Sequence, residues 1–321
     1  MKQSLADRKK IIFFGLGSIG KRLARLTKKL YPCDLYALRS PGKEPNSLGI
    51  EEIYNNDDIG KIKPDIAFIT NPTSLHLDTA RYCASEKMHM FIEKPFSNYL
   101  EGVGELLNNI EKNKLITYIG CQFRFDPIIL HLKSLLKKNN IFYSKITCSS
   151  YLPEWRPEQD YRSSYSAKKD MGGGVILDLI HESDYSFFLF GPIAGIEGNA
   201  GKKSSLEIDT EDYADITMFH KSGTTSQIHL DYFSRKRTRK IELYSEDRYI
   251  EADLLERTIN TDNGTGTETL VFEETGRDDL YIQELDYFFS CIDKNELPMN
   301  DISEHIHVLR PILEFKQDHN L

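Results

Sequence analysis

A chain of 321 residues is longer than one ordinary hydrophobic core fills, so two domains are expected. A hydrophobic share of 40% and a charged share of 28% match a soluble globular protein, and a net charge of −8 argues against nucleic-acid or membrane partners. Cys33, Cys83, Cys121, Cys148 and Cys291 lack CxxC spacing, and the start MKQSLADRKK is too polar for a signal peptide, so a reduced, cytoplasmic chain with no metal site is expected.

Ile11 to Phe14 is a short apolar run, followed at once by Gly15-Leu16-Gly17-Ser18-Ile19-Gly20 and then by Leu23, Leu26 and Leu30 in helical spacing. A strand, GxGxxG and an amphipathic helix in that order form a dinucleotide fingerprint. The glycines let the backbone approach a pyrophosphate, and the helix N-terminus offers unpaired N–H groups to it. The next strand, Asp34 to Leu38, ends in Arg39 and Ser40, with Lys43 close behind. An NAD site usually carries an acid there, whereas a guanidinium and a hydroxyl suit a 2′-phosphate. NADP(H) is therefore the expected cofactor, with NAD(H) as the second choice.

A third strand, Asp65 to Ile69, leads into Thr70-Asn71-Pro72 and His76, which are expected to face the cofactor. A helix from Leu77 to Lys87 follows, then the apolar run Met90 to Ile92, which stops at Glu93-Lys94-Pro95. Proline ends the ladder there and leaves the Lys94 ammonium at the carboxyl end of a strand, where ligands bind in parallel sheets. Leu115 to Gly120 closes this half. Alternating strands and helices imply a doubly wound parallel sheet over residues 1–123. Gln122 and Arg124 lie at the crossing into residues 124–321, where strands such as 215–219, 225–232, 240–244 and 269–272 suggest antiparallel pairing.

Between Tyr151 and Tyr185 the sequence is dense in functional side chains. Trp155, Arg156, Tyr161, Arg162 and Tyr165 stand in a polar, proline-punctuated loop suited to a polyol or an anion. Gly172-Gly173-Gly174 then opens an expected helix from Val175 to Phe190, on which Asp178, His181 and Asp184 would share one face.

GLGSIG, TNPTSLH, FIEKPFS, GCQFRFDP and GGGVILDLIHESDY together resemble the Gfo/Idh/MocA oxidoreductases over roughly residues 11 to 310. The resemblance implies a Rossmann domain, then an α/β domain with a large open, mainly antiparallel sheet through which a homodimer or homotetramer forms. It also implies hydride transfer between a nicotinamide cofactor and a sugar, polyol or nucleotide-sugar. Lys94 matches the family's active-site lysine and His181 its acid/base histidine, and the two are expected to face one cleft. Asp178 matches less closely, standing three residues before the histidine where many members have four. Tyr151 to Ala167 resembles a branch associated with surface-polysaccharide sugar genes.

Oxidising a secondary alcohol needs a base for the hydroxyl proton and a cation for the developing alkoxide. A histidine, with an ordinary pKa near ~6.5, suits the first task, and Lys94 the second. Two other functions compete: a non-catalytic NADP(H)-binding regulator, and a reductase of a biliverdin- or dihydrodiol-like substrate. Lys94 and His181 argue against the regulator, and the Trp155–Arg162 loop favours a polar substrate. The run Arg235 to Lys240 reads as charged strand ends, or as a seat for nucleotide-sugar phosphates.

Overall fold

The computed structural model describes residues 8–42, 44–137 and 139–321. The first sheet holds β1 (Lys9–Phe14), β2 (Cys33–Leu38), β3 (Glu51–Ile53), β4 (Ile66–Ile69), β5 (His89–Glu93) and β6 (Thr117–Gly120). Its order is β3-β2-β1-β4-β5-β6, with every neighbouring pair parallel. The helices α1 (Ser18–Leu30), α2 (Asn56–Ile62), α3 (His76–Ser85) and α4 (Val103–Asn113) connect its strands. Strands covered on both faces read as continuous apolar runs, which is why Ile11–Phe14 and Ile66–Ile69 are wholly buried. Phe13, Phe68 and Phe91 stand in register on β1, β4 and β5 and stack at 4.7 and 5.0 Å.

The chain then forms α5 (Pro127–Leu135), β7 (Tyr143–Tyr151), α6 (Val175–Asp178), α7 (His181–Phe190) and β8 (Ile193–Gly201). The strands β9 (Tyr213–His220), β10 (Thr225–Asp231), β11 (Phe233–Tyr244), β12 (Tyr249–Asp253), β13 (Thr258–Asp262) and β14 (Thr267–Val271) follow. They make an eight-stranded sheet in the order β14-β13-β12-β11-β7-β10-β9-β8, antiparallel except where β7 meets β10. Burial alternates along β9 and β10, so one face of the sheet is packed and the other open. The chain ends in α8 (Asp279–Lys294) and α9 (Ile302–Asp318). No helix among the described residues is long and apolar enough to cross a membrane.

The chain divides into two compact units, one reaching to Gly120 and taking in Tyr281–His305, the other formed by Cys121–Leu280 and Ile306–Leu321. This differs from the expected division into 1–123 and 124–321. The reason is aromatic: Phe288 and Phe289 of α8 lie 6.1 and 6.3 Å from Phe68, and Phe289 lies 4.3 Å from Tyr31. The chain returns because the first sheet needs this helix to cover Phe68 and Phe91.

Candidate active site

Because β1, β2, β4 and β5 run parallel, their carboxyl ends bring Gly15, Arg39, Thr70–Asn71 and Glu93–Lys94 to one edge of the first sheet. Gly15 turns there at φ +98°, a conformation that L side chains rarely adopt. A Cβ on Gly20 would come within 2.6 Å of the Gly15 carbonyl, so this glycine permits α1 to pack against the turn. Thr70 holds the same carbonyl by donating its hydroxyl at 2.7 Å. Gly17 differs, since a Cβ there would meet nothing within 4 Å. It opens α1, with Ser18 and Ile19 in the first turn, and no side chain caps that helix. Asn71 donates to Thr79 at 2.9 Å, while its buried Oδ1 has no hydrogen-bond partner among the described residues. An open cradle, an uncapped helix N-terminus and a spare acceptor suit a dinucleotide pyrophosphate and its sugars.

His76 does not point to this cradle. Its ring is buried, with Nδ1 2.8 Å from the Pro95 carbonyl and Nε2 2.8 Å from the Asn71 carbonyl. It ties the loop after β4 to the loop after β5, which corrects its expected role as a cofactor contact. Burial also lowers its pKa, despite the two carbonyls. Pro72 starts the short turn Thr73–Leu75 that leads into α3. Burial raises the Glu93 carboxyl to about 7, against the pull of Lys94. Beside Lys94, then, stands an acid that changes charge near neutrality.

In the second unit the expected single helix is two. α6 ends at Asp178 and α7 begins at His181, so the three-residue gap does not place them on one helical face. Asp178 is buried and accepts hydroxyls from Tyr165, from Ser166 at 2.6 Å and from Tyr232 at 3.0 Å. Tyr165 is thereby built into the wall, and burial pushes its phenol well above the ordinary value. His181 is buried with Phe123 edge-on at 5.0 Å. Arg239 lies 4.2 Å over the same Phe123 ring and pairs with Glu182 at 2.7 Å. Phe123 follows Gln122 in the short turn Gln122–Phe125, after the first unit ends. The glycine run serves packing: a Cβ on Gly173 would lie 2.1 Å from the Tyr165 carbonyl, and one on Gly174 2.4 Å from the Glu211 carboxylate.

The profile of an oxidoreductase family with an NAD-binding Rossmann fold matches residues 9–121, and that of the GFO/IDH/MocA C-terminal domain matches residues 143–251. The chain belongs to the Gfo/Idh/MocA oxidoreductase family. It is 26% identical to myo-inositol 2-dehydrogenase of Thermotoga maritima, over 88% of each chain. It is 25% identical to UDP-N-acetylglucosamine 3-dehydrogenase of Acidithiobacillus ferrooxidans, over 63% of this chain and 60% of that one. The solved structure of the latter superposes with a TM-score of 0.78 at 20% identity, over 97% of each chain. Levoglucosan dehydrogenase in complex with NADH superposes with a TM-score of 0.82 at 15% identity, over 97% of this chain and 98% of that one.

Several side chains expected to reach ligands in this Gfo/Idh/MocA protein are engaged elsewhere. Arg124 and Asp184 are buried and joined by two hydrogen bonds of 2.9 and 2.8 Å, so they brace the second unit and do not bind substrate. Asp184→Asn is expected to lower stability by about 3–5 kcal/mol, because it removes the buried carboxylate that faces the Arg124 guanidinium. Urea unfolding should show a lower midpoint with an unchanged slope. Arg162, half exposed, is shared between Asp160 at 2.8 Å and Glu207 at 2.9 Å. Trp155 donates to Ser150 at 2.9 Å and, with Arg156 and Tyr161, lines a small hollow in the second unit. In the basic run, Arg235 faces Glu154 at 3.5 Å, Arg239 pairs with Glu182, and Lys240 lies between Glu251 and Asp253, while Lys236 and Arg237 are exposed.

Arg39 is likewise occupied. Its Nη1 donates to Glu52 at 2.5 Å and to the Glu44 carbonyl at 2.8 Å, which corrects the expectation of a free guanidinium for a 2′-phosphate. Ser40 is exposed beside it, and Lys43 lies outside the described residues. Sequence reasoning missed Glu52, because β3 is three residues long and carries no periodic signal. It also missed the stack of Phe123 and Arg239, whose residues lie far apart in the chain.

Proposed function

We propose that this protein moves a hydride between a nicotinamide dinucleotide and a secondary alcohol or ketone of a sugar, polyol or nucleotide-sugar. The observation that carries this is the shared carboxyl edge of β1, β4 and β5, where an open glycine cradle and Lys94 belong to one sheet. Bound there, the nicotinamide would supply the hydride acceptor or donor, and the chain's own groups would handle the oxygen and the proton. In oxidation the Lys94 ammonium steadies the alkoxide that forms as the O–H bond breaks. His181 takes that proton, and in reduction it returns it. Asp178, fixed by three hydroxyls, orients the start of α7 and balances charge there.

The named activities of the relatives, on inositols and UDP-N-acetylglucosamine, support a polyol or nucleotide-sugar substrate. Trp155, Arg156 and Tyr161 around the second unit's hollow support a polar one. Phe219, Tyr143, Tyr244 and Tyr249 share one row across the second sheet, which supports assembly as a homodimer or homotetramer. Turnover should be screened by nicotinamide absorbance with inositols, sugar acids and nucleotide-sugars, using both cofactors. Reduction of either dinucleotide by one of these classes is the expected result. Tight cofactor binding with no turnover in either direction would instead favour a regulator.

A further inference from the structure

The end of β2 carries no acid, yet a carboxylate reaches it from the neighbouring strand. Leu38 is paired with Ile53, and the Arg39 N–H donates to the Ile53 carbonyl at 3.0 Å. Glu52, next to Ile53, thus lies against the Arg39 side chain, and the Nη1–Oε1 distance is 2.5 Å. The two side chains are only 13% and 9% exposed. The pair is held from behind: the Asn46 backbone N–H and side-chain amide both donate to Glu52 Oε1 at 2.6 Å, and Tyr54 donates to Oε2 at 3.0 Å. Asn46 is itself fixed, since its Oδ1 accepts from the N–H groups of Leu48 and Ile50 at 3.1 Å. Five donated hydrogen bonds therefore define one closed clamp around a single ion pair.

We propose that Glu52 is a specificity-determining residue for the adenosine ribose, holding Arg39 closed so that the site favours NAD(H) over NADP(H). This rests on the dinucleotide reading above. A 2′-phosphate needs a cation that can turn to it, and here that cation already has a carboxylate partner and a backbone carbonyl. Opening the pair would strip Glu52 of one donor and set its charge beside a dianion. Protonation offers no relief, because the Asn46 side-chain hydrogen bond, helped by Asn46 N–H, Arg39 and Tyr54, holds the Glu52 carboxyl down to about 2. A 2′-hydroxyl makes no such demand. It needs only an acceptor or donor at the rim, which the exposed Ser40 beside the pair can provide.

The test is titration of NADH and NADPH into the wild type, E52Q and Arg39→Met, followed by nicotinamide fluorescence. Glutamine keeps an acceptor for Asn46 while removing the charge. The wild type should bind NADH at least as tightly as NADPH. E52Q should shift the ratio of dissociation constants toward NADPH by roughly 10-fold or more, the worth of a charge-assisted phosphate contact. Arg39→Met should shift it the other way, since it leaves a bare carboxylate by the ribose, and NADH binding there should persist. An unchanged ratio in E52Q with NADH still bound, or a wild type that already prefers NADPH 10-fold, would overturn the proposal. If E52Q binds neither cofactor, Arg39→Met decides, and an unchanged ratio there overturns it. A wild type that binds neither dinucleotide would instead defeat the underlying reading.

Discussion

His181→Ala is expected to lower kcat by roughly 10²–10⁴, the usual worth of a positioned acid or base. The imidazole sits at the first position of α7, buried and held edge-on to Phe123. Removing it takes away the group proposed to exchange the substrate proton, while the dinucleotide cradle, which belongs to the other unit, stays intact. Dinucleotide dissociation constants should therefore change little, and the loss should appear in single-turnover hydride transfer. In the oxidative direction the proton acceptor must be neutral, so a rising limb of the pH–rate profile that belongs to it should be lost in His181→Ala. Glu93 supplies a control, because its carboxyl titrates near 7 through burial. A limb near pH 7 that survives in His181→Ala and disappears in Glu93→Gln belongs to Glu93. Wild-type rates across the pH range in His181→Ala would end the assignment of the proton to this histidine.

Lys94→Ala should be at least as damaging, because it removes the cation proposed to meet the reacting oxygen. It should act twice. The ammonium is proposed to stabilise the alkoxide, and it also draws the Glu93 carboxyl down against the burial that raises it. Without Lys94 the Glu93 titration should move further up, so the residual activity should show its pH limb displaced to higher pH. Lys94→Arg is not expected to rescue, since a planar guanidinium cannot place a compact charge where an ammonium stood. Retained NADH fluorescence enhancement in both variants would separate lost chemistry from lost cofactor. Near-normal turnover in Lys94→Arg would mean that a diffuse positive charge suffices and that the lysine does not bond to the oxygen directly.

The parts of the fold governed by local chemistry could be read directly from the residues. Ile11 to Phe14 followed by GxGxxG could be recognised because a buried parallel strand, a tight turn and a helix start each impose residue types over a few positions. Met90 to Lys94 was legible for the same reason, an apolar strand stopped by charge and proline. The antiparallel character of the second half also followed from short strands and polar turns, although Ile193–Gly201, Tyr249–Asp253 and Thr258–Asp262 escaped notice, the first of them rich in glycine. Tertiary structure alone decided what each charged side chain meets. Arg39, Arg124, Arg162 and Arg239 look alike in a sequence, yet each is matched to a carboxylate from another element or loop: Glu52, Asp184, Glu207 and Glu182. Such pairings follow from strand order and helix packing, which bring distant residues together without any periodic trace. The same holds for the break at Leu179–Ile180, where the chain turns between Asp178 and His181 although the residues around it are apolar enough to continue a helix. The return of Phe288 and Phe289 to the first sheet was hidden as well, because an amphipathic helix declares that it has a buried face but not which surface buries it.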